Sequence, residues 1–113
     1  MTRAITPKSA TNKLVIEAWG IFANSATNNV TIALFQDTTA NALAVSNTYQ
    51  QAGSAMNNLY LCHTMTAGTT SSTTFRIRYG AASGTTSMNG TGGGARYFGT
   101  ANKSGMKITE YTV

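Results

Sequence analysis

Along this chain, stretches in which apolar residues alternate with polar ones, or run on unbroken, are separated by clusters of Gly, Asn, Thr and Ser. The strongest is Lys13 to Phe22 (KLVIEAWGIF). There Leu14, Ile16, Ala18 and Phe22 share one parity, and Val15, Trp19 and Ile21 the other, beside Glu17. A strand apolar on both faces sits between two layers or is covered on its second face by another chain. Asn29 to Gln36 sets Val30, Ile32 and Leu34 against Thr31, Ala33 and Phe35, and Asn58 to Thr66 sets Leu59, Leu61, His63 and Met65 against Tyr60, Cys62 and Thr64. In Thr74 to Gly80 the pattern is that of a half-buried strand, with Phe75, Ile77 and Tyr79 inward and Arg76 and Arg78 outward.

Weaker segments complete the set. Ala42 to Val45 reads as a short strand and Thr48 to Ser54, polar and broken by Gly, as a loop. Thr85 to Met88 lies between Gly-centred connections at Ala82–Gly84 and Asn89–Gly94. Arg96 to Phe98 is a short apolar segment, and Met106 to Val113 closes the chain. About eight strands spaced by turn signals, with no helix of more than one or two turns, predict one all-β domain over residues 1–113. The expected fold is an antiparallel β-sandwich, jelly-roll-like.

Composition sharpens this. Thr, Ser, Asn and Gly supply 50 of the 113 residues and only 10% are charged, against about 25% in an average domain. Such a chain is poor helix material, yet its 42% hydrophobic content argues against disorder. With few charges to put outside, part of the surface is expected to be buried against partners. No apolar run approaches membrane-spanning length, and Met1 to Ala10 carries no signal-peptide core. A single cysteine forms no internal disulfide, and one His with one Cys cannot build a metal cage, so no cofactor is expected.

The titratable groups are too few for a convincing reaction centre. Glu17 and Glu110 could face each other across a sheet as a carboxylate pair, but each is better accounted for as the partner of a basic residue at a subunit contact. His63 and Cys62 fit as buried side chains. Gly90-Thr91-Gly92-Gly93-Gly94 lacks the Gly-Lys-Ser/Thr ending of a phosphate loop and no helix follows. A non-enzymatic protein is the expectation. The formal charge of +5 gives a basic surface, assigned to Arg76, Arg78, Lys103 and Lys107, suited to an anionic partner such as a cell-surface glycan. Nucleic acid is disfavoured, because Phe75 and Tyr79 alternate away from the arginines. The loop residues Asn89, Gly90, Thr91, Gly92, Arg96 and Tyr97 form a candidate recognition loop.

Three segments carry a family resemblance. Ile5-Thr6-Pro7-Lys8-Ser9-Ala10-Thr11-Asn12-Lys13-Leu14, Ala67 to Tyr79, and Ser104 to Tyr111 (SGMKITEY) resemble the opening, middle and closing segments of a small β-sandwich domain at the C-terminus of tail-fibre and tail-spike proteins of tailed bacteriophages. The resemblance implies a homotrimeric virion-surface module for host attachment or fibre trimerisation, in contact with other tail or capsid proteins. Met1 stands only four residues before Ile5. The chain would thus be a fragment, a separately made product, or a free-standing capsid decoration protein, the alternative function. For the trimer, Val15, Glu17, Trp19, Ile21 and Glu110 are the expected interface residues, with Trp19 or its neighbours near the three-fold.

Overall fold

Strand makes up 55% of the computed structural model, which describes residues 1–113. In chain order the strands are β1 (Thr2–Ile5), β2 (Lys13–Asn24), β3 (Asn28–Gln36), β4 (Ala44–Gln50), β5 (Asn57–Thr66), β6 (Thr73–Gly80), β7 (Thr86–Met88) and β8 (Gly105–Tyr111); the only helical element is a 3-10 turn at Gly99–Ala101. One sheet has the order β1-β6-β3-β4. In the other, β2 pairs with β5 on one side and, along successive parts of its length, with β8 and β7 on the other. All pairings are antiparallel. The pairs β3–β4, β2–β5 and β1–β6 are nested like a long hairpin folded over on itself. That is the connectivity of a jelly roll, here of six strands, with β7 and β8 added to the free side of β2.

The core lies between the sheets and is made of the inward parities read above. Leu14, Ile16, Ala18 and Phe22 of β2, Val30, Ile32 and Leu34 of β3, and Phe75 of β6 are inaccessible, and Leu59, Leu61, Ile77 and Met106 nearly so. One end of this core is closed by a polar knot. Gln50 is buried, and its amide donates to the carbonyls of Asn24 (2.6 Å) and Ala26 (3.1 Å), while its Oε1 accepts from the Asn24 backbone N–H (2.9 Å). Asn24 in turn donates through its side chain to Ser83 O and Thr86 Oγ1. The end of β2 thereby gathers the loops before β3, β5 and β7. A buried polar group is tolerated only when bonded in this way.

Three expectations change. An edge strand, β1, precedes the turn at Pro7, although a strand of Thr, Arg and Ala carries little apolar signal. Residues 48–50, read as loop, belong to β4: their alternation is polar against polar, and pairing with β3 makes the strand. Arg96–Phe98 forms no strand; Gly90 and Arg96 make an isolated bridge, and Phe98 is left-handed and 81% exposed.

Candidate functional site

The acidic and nucleophilic side chains do not converge. Glu17 lies on the outer face of the β2 sheet, in register with Cys62 and Lys107. Glu110 pairs with Leu14 and so has the opposite parity. The carboxylate pair across one face is therefore overturned by the register. Glu110 instead ties down the segment before β2, accepting from Asn12 Nδ2 (2.7 Å) and the Lys8 N–H (2.8 Å), and these bonds hold its carboxyl below the usual value. Asp37, just past β3, accepts from the Thr74 N–H and the Thr73 hydroxyl (both 2.8 Å), and the first of these lowers its pKa most. His63 is half-buried between the sheets opposite Ile16. Cys62, expected inside, is exposed, because its parity is that of Tyr60 and not of Leu61.

The outer face of the β2 sheet holds four of the five interface residues named from sequence: Val15, Glu17, Trp19 and Ile21. Glu110 does not join them. Opposite Trp19 stands Tyr60 on one side and Gly105 on the other. A Cβ at residue 105 would come within 2.5 Å of the indole, so glycine there lets the ring lie across β8. Trp19 remains 41% and Tyr60 54% exposed. The Tyr60 hydroxyl donates to Glu17 Oε1 (2.9 Å), and this bond first, then desolvation and the Cys62 thiol, pushes its pKa up to about 12. Between the two rings a shallow groove of about 320 Å³ is completed by Ile21, Asn58 and Lys103.

The basic face assigned from sequence is two faces. Arg76 and Arg78 point outward from the β6 sheet, with the Arg78 guanidinium 5.3 Å from the Phe35 ring centroid. Lys107 stands beside Glu17, and Lys103 beside Trp19, on the opposite side of the sandwich.

The candidate recognition loop is largely consumed by its own structure. Asn89 is buried, accepts from Ser104 Oγ (2.6 Å) through its side chain and from Asn102 Nδ2 through its carbonyl. Arg96 donates to the carbonyls of Gly99 (2.6 Å) and Asn102 (2.9 Å). Gly90 is buried against Ala95 and Arg96, and Gly92 packs on the Asn24 backbone so closely that no side chain fits; Thr91 is half-buried, and Tyr97 is exposed.

Sequence reasoning missed the flank formed by β4 and β5, which lie side by side across the two sheets. No residue between Asp37 and Arg76 is Asp, Glu, Lys or Arg, so both edge strands lack ionic side chains while Val45, Tyr49 and Tyr60 are exposed on them. The signal was available as a gap in the charge pattern.

No curated protein matches the chain. A family model does, over residues 1–113, and its description is the Pgp3 C-terminal domain. It concerns a Chlamydia plasmid virulence protein, and so overturns the likeness to phage tail-fibre and tail-spike domains, together with host attachment by a tail tip, capsid decoration and a place on the virion surface. The structure explains why the motifs misled. Pro7, Ser9, Thr11 and Asn12 perform a generic task, turning from an edge strand into a central one: the Asn12 N–H bonds Ser9 O (3.2 Å) and the Ser9 hydroxyl bonds that of Thr11 (2.9 Å). Pro, Ser and Asn are favoured at turns for local reasons that carry no family information. Matched from first residue to last, the chain belongs to the Pgp3 C-terminal domain family.

Proposed function

We propose that this domain is a non-enzymatic assembly module that completes itself as a homotrimer, using the outer face around Trp19 and Tyr60 and the β4–β5 flank. The observation that carries this is the flank itself. In a protein with a formal charge of +5, two neighbouring edge strands hold no charged residue, where exposed edges are ordinarily protected by Lys, Pro or inward charges. Depletion of charge with retention of aromatics is also the composition of an interface centre.

Three copies suit this surface better than two. A two-fold contact pairs a patch with itself and would leave the flank open if the Trp19 face were used. A closed ring presents the face of one copy to the flank of the next and occupies both. Covering what remains exposed of Trp19 and Tyr60, on the order of 100 Å² each, contributes roughly 5 kcal/mol per subunit.

Native mass spectrometry and sedimentation test the reading. Wild-type protein is expected as a trimer, with Trp19→Ala shifting mass toward the monomer at low micromolar concentration while circular dichroism stays that of a β protein. A wild-type monomer, or a Trp19→Ala trimer of undiminished stability, refutes it.

A further inference from the structure

On the sheet opposite the Trp19 face, the outward residues of β3 and β6 form a groove beside the β4 edge, where Asn29 and Ala33 stand opposite Tyr49 and Val45. Its larger part, about 410 Å³, runs over Asn29, Thr31, Ala33 and Phe35 to Arg78. A smaller polar recess of about 110 Å³ continues past Phe35 to Arg76, Thr38 and Thr39. We infer that this groove binds an acidic polysaccharide, with the guanidinium groups of Arg76 and Arg78 gripping successive carboxylate or sulfate groups and the sugar rings lying toward Asn29 and Thr31.

The cations are poised for an anion. Arg76 and Arg78 alternate on one strand face, which places them roughly 7 Å apart. Nε of Arg76 is buried and has no hydrogen-bond partner, the one side-chain atom of the chain in that position. Asp37, whose carboxylate lines the same recess, acts on Arg76 through space; its hydrogen bonds come from Thr73 and Thr74 and none from Arg76 Nε. Arg78 is steadied by the Phe35 ring beneath it. Planar guanidinium forks match carboxylate and sulfate geometry in a way lysines do not.

The surroundings select the class of anion. Hydroxyl and amide groups at Asn29, Thr31, Thr38 and Thr39 match an alcohol-rich ligand, and Ala33 offers a flat apolar patch to a sugar ring. A single-stranded nucleic acid stacks its bases on open aromatic faces; Phe35 is covered by Arg78 and Tyr79 packs on Phe22, but Tyr79 lines the groove half-exposed, so competition by single-stranded DNA is one outcome of the test. An acidic peptide would add to a sheet edge, whereas β3 and β6 are the inner strands of their sheet.

The test uses the full chain with heparin as probe, in titration calorimetry at low and physiological salt. Wild type is expected to bind heparin and to ignore neutral dextran. Arg76→Gln with Arg78→Gln should weaken binding about tenfold or more, since each removes charge-assisted hydrogen bonds. Lys8→Gln with Lys13→Gln removes the same charge just before and at the start of β2 and should change affinity by less than about twofold. Replacing both arginines by lysine should give an intermediate loss. Should the double glutamine variant fail to fold, Arg78→Gln alone, at an exposed position, still has to weaken binding. No binding by the wild type, an equal loss in the lysine-pair variant, or equally good competition by polyglutamate or single-stranded DNA overturns the inference.

Discussion

Replacing Gln50 by leucine keeps the side-chain volume and removes the polar knot at the end of β2. The Asn24 backbone N–H then has no acceptor, since Gln50 Oε1 is its partner at 2.9 Å. The Asn24 carbonyl keeps its bond from the Ser54 N–H (2.8 Å), Asn57 keeps Ala55 O, and the half-buried Ala26 carbonyl can turn to water. The cost is therefore dominated by one orphaned buried donor, about 1–3 kcal/mol, plus the ordinary bonds lost, partly offset by the more apolar side chain. A net destabilisation of about 2–3 kcal/mol is expected. For a domain of this size that lowers Tm by about 10 °C. Urea unfolding followed by Trp19 fluorescence and by circular dichroism measures it, at one protomer concentration, because self-association adds stability by mass action. Gln50→Glu should be worse at neutral pH, where a buried carboxylate meets two carbonyls, and should partly recover in acid. A Gln50→Leu protein as stable as wild type would show that the knot is incidental.

Other expectations follow from the outer face and the carboxylates. Gly105→Val should lift the Trp19 indole off β8, detected as a red-shifted tryptophan emission together with weaker self-association. Tyr60, held protonated by Glu17 until about 12, should give a late step in an ultraviolet pH titration, and Glu17→Gln should bring that step back toward the ordinary tyrosine value near 10; a late step that survives Glu17→Gln unchanged, or none in the wild type, would contradict the hydrogen bond. Asp37 and Glu110 have folded pKa values below their unfolded ones. The stability each supplies is complete above the unfolded value near 4 and is lost as pH falls through the folded one. Asp37→Asn should thus be less stable than wild type at neutral pH and approach it in acid, and a gap that persists undiminished in acid denaturation would contradict this.

What could be read from the sequence was what burial writes into it. Leu14, Ile16, Val30, Ile32, Leu34, Phe75 and Ile77 carry period-two alternation because one face of each strand must leave water, so the core and the sandwich were legible. β1 and the end of β4 were not, since strands whose residues are mostly polar are made by the hydrogen bonds of a neighbour, β6 or β3, distant in sequence. Trp19 was found because a large apolar residue opposite a core parity demands explanation. Tyr60 was seen only as alternation, because its importance comes from the strand paired with it. The basic residues illustrate the same limit: parity told which side of its own strand each lay on, but not that β6 and β8 present opposite sides of the sandwich. Asn89 was taken for a free loop residue, and nothing local reveals that Ser104 would reach back to it.

The nesting of the strand pairs bears on how the chain reaches its native state. Among the nested hydrogen-bonded pairs only β3 and β4 are close in sequence; β2 must wait for β5, and β1 for β6, each closure enclosing a longer loop than the last. Loop-closure entropy is met before the non-local contacts repay it, which puts such topologies at the slow, millisecond-to-second end of the range. The β3–β4 hairpin is the natural nucleus, and β2, flanked on both sides only when β8 arrives, is the last strand to be fully enclosed. Until then its Trp19 side and the uncharged edges stand open to other chains, so refolding yield should fall with rising concentration even where the folded protein is stable.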